Sequence, residues 1–314
     1  MPRFRTLVGA STIATFALIA IGGLVRATKS GLGCGTDWPH CSGRVIPIFG
    51  EPAVVIEYSH RLAAAAVVIL LGTIAALAVR RYRDEPRIMW ASVGAFGLVM
   101  FQAVLGAIVV KLELEAESVV LHLGTALSLL ALLIYLWASV RAHEGDSVAR
   151  VDPTISRSAR LAALSVFALM LLGSYISGTA GAGAAFDDWP LMNGRVIPDL
   201  TIEAQALHFA HRLVAAVVGI VVFVIGLRVI RRADEHPEAA RLARVGLGLF
   251  AAEVLIGAAN VFTGLNSAFV TAHLATGAAI WSAFVAAWVV TSPATDALGV
   301  RAPRSGAPAL AESR

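Results

Sequence analysis

The sequence predicts an all-α membrane protein of eight transmembrane helices, arranged as two parallel four-helix-bundle repeats. Three observations predict it. The 314-residue chain is 58% hydrophobic and only 15% charged, where a soluble domain carries about 25% charged residues. Its charges cluster between apolar runs long enough to span a bilayer, which takes about 20 residues. A set of motifs also recurs at one offset of 151 residues (188 − 37). Asp37-Trp38-Pro39 returns as Asp188-Trp189-Pro190, Gly43-Arg44-Val45-Ile46-Pro47 as Gly194-Arg195-Val196-Ile197-Pro198, His60-Arg61-Leu62 as His211-Arg212-Leu213, and His122 as His273. A single offset across loops and helices signals an internal duplication.

The apolar runs lie at roughly 6–26, 54–79, 88–110, 118–140, 160–178, 204–229, 244–264 and 267–291. The first, Thr6 to Val25 behind Arg3 and Arg5, is long for the apolar core of a signal peptide, and no A-x-A-like cleavage site follows. Ser30-Gly31-Leu32-Gly33-Cys34 has Gly31 where a lipoprotein site wants leucine, so the run reads as a first transmembrane helix. The polar stretch from Arg141 to Ser158 separates the fourth and fifth runs. The predicted division is a first repeat at 1–141, a cytoplasmic linker at 142–158, a second repeat at 159–291 and a disordered cytoplasmic tail at 292–314, rich in Ala, Pro, Ser and Arg. Four helices per unit is an even number. Both units therefore enter the membrane in the same direction, related by an axis along its normal.

Positive residues orient the chain. Arg3 and Arg5, then Arg80, Arg81, Arg83 and Arg87, then Arg141, Arg150, Arg157 and Arg160, then Arg228, Arg231, Arg232, Arg241 and Arg244 all fall at one end of the bundle. The other end has Lys29, Arg44, Lys111 and Arg195 in its loops. The arginine-rich end is predicted to be cytoplasmic, with both termini inside and the loop of Cys34 and Cys41 outside. No basic stripe marks a nucleic-acid partner. The long outer loops, 27–53 and 179–203, carry Trp38 and Trp189, which suit a membrane interface.

Four histidines lie inside predicted spans: His60, His122, His211 and His273. Within each repeat the second and fourth helices run in the same direction, and their histidines fall at similar depth near the outer surface. Two imidazoles at one level suit a haem with two axial histidines, while a zinc or copper ion or an interhelical hydrogen bond also accommodates imidazole. Glu57 lies three residues before His60, on the same helical face, and its counterpart is His208. A carboxylate there acts on a bound ligand as an acid–base or electrostatic group, or is simply solvated. Cys34 and Cys41 share one loop, which suggests a disulfide or a redox couple if that loop faces an oxidising compartment. Their counterparts are Ala185 and Met192. The carboxylate and thiols of the first half, absent from the second, imply chemistry in the first and a ligand-binding or electron-transfer role in the second. Arg26, Arg61 and Arg212 sit where guanidinium groups reach either haem propionates or lipid headgroups. Gln102 and Glu253, also 151 apart, read as interhelical hydrogen-bonding groups, and His143 and His236 as solvated loop residues.

At these residues the chain resembles the haem A synthase family of cytochrome oxidase assembly. The resemblance runs from Gly22 to about Trp288. It rests on Gly23-Leu24-Val25-Arg26, Ser30-Gly31-Leu32-Gly33-Cys34, Asp37-Trp38-Pro39, Cys41, Glu57-Tyr58-Ser59-His60-Arg61, Leu121-His122-Leu123-Gly124, His211-Arg212 and Thr271-Ala272-His273. It implies an oxidoreductase that converts a methyl group of the farnesylated substrate haem O to a formyl group, giving haem A, by successive hydroxylation. It implies His60 and His122 as axial ligands of the substrate haem and Glu57 as the catalytic carboxylate. It further implies His211 and His273 as iron ligands of a haem b cofactor, and Cys34 and Cys41 as an extracytoplasmic disulfide. Some relatives carry a second cysteine pair where this chain has Ala185 and Met192. Partners implied are haem O, membrane lipid, an electron donor and, on pathway grounds, haem O synthase. Two other readings compete. A diheme, cytochrome b-like quinol oxidoreductase would have no need of Glu57 or the cysteines. A transporter built of parallel repeats would place its histidines nearer the midplane.

Overall fold

The computed structural model describes residues 2–145 and 151–292. Its eight helices are α1 (Pro2–Ala27), α2 (Pro52–Arg81), α3 (Pro86–Lys111), α4 (Ala116–His143), α5 (Pro153–Gly178), α6 (Glu203–Ile230), α7 (Pro237–Phe262) and α8 (Ser267–Val290). All eight are long and apolar enough to cross a membrane. Proline opens α2, α3, α5 and α7, where its missing N–H costs nothing and its fixed φ suits the first turn.

Two helices start seven residues earlier than their apolar runs suggested. α5 begins at Pro153 because Asp152 caps it, accepting from the N–H groups of Thr154 and Ile155. α7 begins at Pro237 and carries a polar first turns' worth of sequence before its apolar body. Hydrophobicity marks where a helix enters lipid, whereas caps and prolines mark where it begins. The linker foreseen at 142–158 is therefore helical at 142–143 and 153–158. Its centre at 146–150, and the tail beyond Ser292 expected to be disordered, lie outside the described residues.

Each half closes into a ring of four helices. α1 packs on α2, α2 on α3, α3 on α4 and α4 on α1; α5 to α8 repeat the scheme. In neither ring do the diagonal partners, α2 with α4 or α6 with α8, make extended contact. The halves join through α1 with α8, α4 with α5 and α4 with α8, a scheme that maps onto itself when α1 to α4 are exchanged with α5 to α8. Two apolar clusters fill the rings. Val8, Leu71, Ile74, Ile88, Leu133 and Leu136 lie in the first, and Val222, Ala243, Ile280 and Phe284 in the second. α4 serves both, with Leu129, Leu133 and Leu136 on one face and Leu127 and Leu130 on another. The outward faces expose Ile13, Ile69, Ile220, Phe223 and Leu255. Such an apolar exterior belongs in lipid, where a helix satisfies its own backbone.

Local geometry recurs at the 151-residue interval. Trp38-Pro39 and Trp189-Pro190 are both cis, and Cys41 pairs with Arg44 as Met192 does with Arg195. Ser42 and Asn193, and Leu114 and Leu265, share positive φ.

The arginine-rich end is tied by ion pairs. Arg5 meets Glu144, Arg141 of α4 meets Glu238 of α7 at 2.7 Å, and Arg232 meets Asp152 at 2.9 Å. The backbone N–H of Asp152 also donates to the carbonyl of Thr291. His236, expected to be solvated, is 1% exposed with Nε2 3.4 Å from Asp152. The hairpin between α6 and α7 folds it inward onto the start of α5. His143, the last residue of α4, is exposed as expected, with Nδ1 3.4 Å from Glu85 and its ring edge-on to that of Tyr82. Burial pushes the Asp152 carboxyl up, but the N–H groups of Ile155 and Thr154, with Arg232 and His236, outweigh it and hold the group below the usual range.

Candidate functional site

The site is built at the end opposite the arginine-rich one. His60 lies eight residues past the first residue of α2, as His211 does in α6 (60 − 52 and 211 − 203). His122 and His273 lie six past the starts of α4 and α8 (122 − 116 and 273 − 267). At 1.5 Å per residue these are depths of about 12 and 9 Å. In each half the two histidines therefore share a level on diagonal helices that do not close on one another.

The four rings are seated alike. Each packs its Cε1 edge on a glycine of the preceding helix: His60 on Gly22, His122 on Gly106, His211 on Gly173 and His273 on Gly257. A Cβ at these glycines would stand 3.4, 3.2, 3.2 and 3.3 Å from Cε1, respectively. All four residues are half-buried, yet in all four Nδ1 is buried without a hydrogen-bond partner. In each ring Cε1 and Nδ1 are the atoms turned to the glycine of the neighbouring helix. Sequence reasoning missed these glycines. The signal was present, since Gly22 and Gly173, and Gly106 and Gly257, are themselves 151 apart. Among the described residues no three His, Cys, Asp or Glu side chains converge as a metal cluster. The donor set is two histidines per half, which fits a planar macrocycle that supplies the remaining ligands itself.

Glu57 is 3% exposed and fully engaged. Its Oε2 accepts the backbone N–H of Cys34 at 2.7 Å, and its Oε1 accepts Nε and Nη2 of Arg61 at 3.1 and 2.5 Å. Arg61 continues outward, donating through Nη1 to the carbonyls of Asp37 and His40. Gly33 makes the approach of Cys34 feasible. A Cβ there would stand 2.4 Å from the carbonyl carbon of Ala53, so only glycine lets the loop press on the start of α2. Cys34 and Cys41 form a disulfide and are 0% and 1% exposed.

The second half repeats the arginine and changes the acid. Arg212 donates to the carbonyls of Leu191 and Asp188, the counterparts of His40 and Asp37. His208 replaces Glu57, with Nδ1 3.0 Å from the Ala182 carbonyl and its ring on Phe186. Where the first loop has a disulfide, the second is held by Asp188, which accepts from the N–H groups of Asn193 and Gly194. The Gly194 and Asn193 bonds keep the Asp188 carboxyl below the usual range. Arg26 donates to the Ser177 carbonyl at 3.2 Å, joining α1 to the end of α5. Gln102 donates to the His122 carbonyl at 2.7 Å and accepts from Thr125 Oγ1. Glu253 approaches His273 instead.

Fold and site define a polytopic membrane protein with a pair of histidines at one level near the same end of each of two four-helix bundles. The sequence matches the family model of the cytochrome oxidase assembly protein over residues 5–285. Among curated proteins it is similar to the haem A synthase of Symbiobacterium thermophilum, at 31% identity over 267 residues covering 82% of this chain and 85% of that one. It is similar to that of Halalkalibacterium halodurans at 32% over 233 residues, 71% and 76% of the two chains. The haem A synthase of Shouchella clausii is 30% identical over 220 residues, 68% and 72%. The chain belongs to this family, the haem A synthases of cytochrome oxidase assembly.

Proposed function

We propose that the protein is an oxidoreductase that converts a methyl group of haem O to a formyl group by successive hydroxylation, giving haem A for cytochrome oxidase. The observation that carries this reading is the asymmetry of two otherwise matched halves. Both present a histidine pair at one level, but only the first has a disulfide-bonded loop and, at the position that His208 takes in the second, a buried carboxylate hydrogen-bonded to that loop. His60 and His122 hold the substrate haem, and Glu57, one helical turn from His60, is the catalytic carboxylate. Arg61 and the Cys34 N–H keep Glu57 placed. The apolar bundle excludes water around the reacting substituent. His211 and His273 hold a haem b, which supplies one-electron transfer when bound. Arg26, Arg61 and Arg212 stand at the level where propionates would emerge. Haem O enters sideways from lipid through the open outer faces, and an electron donor and haem O synthase complete the partners. The protein lies in the cell membrane with the arginine-rich end and both termini cytoplasmic and the disulfide loop outside. The repeats are the products of an internal duplication, parallel about an axis along the membrane normal.

A diheme electron-transfer protein is the second reading. The observation favouring it is that Glu57 is fully paired with Arg61 and the loop, as a structural anchor would be. Extraction of haems from membranes of a haem-O-producing host, with and without this chain, separates the two. Haem A or its hydroxylated precursor appearing only with the chain supports methyl oxidation. With an electron donor shown to be present, haem B alone co-purifying and haem O unchanged would overturn it.

A further inference from the structure

Glu253 stands inside α7, within a span where a carboxylate is costly to hold. Its Oε1 lies 3.2 Å from Nδ1 of His273, and its side chain is 16% exposed. The distance is that of a hydrogen bond, with the N–H direction out of line. Its Oε2 is buried with no partner. The counterpart Gln102 does something different, bonding the backbone carbonyl of His122 and the Thr125 hydroxyl. The His122 ring thus has no partner on Nδ1.

A second difference accompanies the first. Gly277, one turn beyond His273, has Glu253 Oε1 3.3 Å from where a Cβ would stand. The equivalent residue in the first half is Ala126. The half with the carboxylate therefore also has the glycine that leaves room for it, and both changes converge on one imidazole.

We propose that Glu253 is a positioning residue for the second-half haem site, accepting the Nδ1–H of His273 and lowering the reduction potential of the haem held there. The inference rests on the reading of His211 and His273 as haem ligands. A carboxylate acceptor fixes the tautomer that leaves Nε2 free for iron. It also makes the imidazole a stronger donor, which favours the ferric state. The first half has no such acceptor at its Nδ1 atoms, so the two sites differ in ligand basicity although their histidines are seated alike.

The test uses full-length, haem-loaded protein on a His60→Ala background, so that only the second-half haem is read. Haem content, midpoint potential and the electron paramagnetic resonance g-values are compared for Glu253, Glu253→Gln and Glu253→Leu. In Glu253→Leu the reduced-to-oxidised ratio at fixed potential rises at least tenfold, a shift of about 59 mV for a one-electron couple. Glu253→Gln keeps an acceptor oxygen without the charge, retains haem, and shifts less in the same direction. Should Glu253→Leu fail to load, the Gln variant decides. Unchanged potential and g-values in loaded variants overturn the proposal. Loss of haem from both variants also overturns it, because the role would then be structural support alone. The underlying haem reading is tested separately: if His211→Ala and His273→Ala leave every haem band in place, that reading fails whatever Glu253 does.

Discussion

Replacing Glu57 by glutamine tests how the first outer loop is held over the histidines. The carboxylate accepts three hydrogen bonds, two from Arg61 and one from the Cys34 N–H. Both side chains are largely buried, at 15% exposure for Arg61 and 4% for Glu57. Removing one partner of a buried pair costs about 3–5 kcal/mol. Glutamine keeps one acceptor oxygen and Arg61 keeps its two carbonyl partners, so the lower end, about 3 kcal/mol, applies. At about 1.4 kcal/mol per tenfold, the population in which the loop lifts off α2 rises roughly 100-fold. Because Cys34 and Cys41 are 0% and 1% exposed, reductant reaches their disulfide through that open state. The assay is the rate of reduction by a phosphine, followed by alkylation and mass measurement, in wild type and Glu57→Gln. Reduction about 100-fold faster is expected. An unchanged rate would refute the idea that Glu57 anchors the loop.

Four further outcomes are expected. Glu57→Ala abolishes haem A formation while the second-half haem spectrum stays intact, and loss of that spectrum would sink the division of labour between halves. His60→Ala or His122→Ala removes one haem signal and His211→Ala or His273→Ala the other; a single signal sensitive to all four would contradict two separate sites. Gly257→Ala places a Cβ 3.3 Å from His273 Cε1. It should displace the ring and lower second-half haem occupancy, read as the haem-to-protein ratio against Gly248→Ala, whose Cβ meets nothing within 4 Å. Asp152→Asn keeps an acceptor for the α5 cap but loses the charge facing Arg232 and His236. A carboxyl with a depressed folded pKa stabilises above its unfolded pKa, and that contribution is lost as pH falls through the folded value. The variant should be less stable at neutral pH, by under about 1 kcal/mol for so exposed an Arg232 partner. The gap should close at acid pH, as followed by thermal unfolding in detergent, and a gap that widens on acidification would refute this.

Much of the architecture was legible because lipid imposes a simple rule: a span must be a long apolar helix. Eight apolar runs became eight helices, and similar loop geometry recurs at the 151-residue offset that the motifs show. The starts of α5 and α7 were not legible from hydropathy, since the Asp152 cap with Pro153 sets the one and Pro237 opens the other. His236 read as solvated from its place in a loop, and only the fold turned it inward onto Asp152. The four histidines were found from their periodic recurrence. The glycines beneath them were not, because a glycine in an apolar helix has many uses until its neighbour is known.

By itself the sequence determined the class of the molecule and the number of its spans. These depend on composition and spacing along one chain, which lipid and helical geometry translate directly. Only the tertiary structure decided which helices face each other across a ring, that Glu57 joins the disulfide loop to Arg61, and that Glu253 reaches the ring of His273 where Gln102 reaches a backbone carbonyl. Those choices depend on side-chain directions between helices distant in sequence, and on atoms that are missing, such as the Cβ that Gly277 lacks.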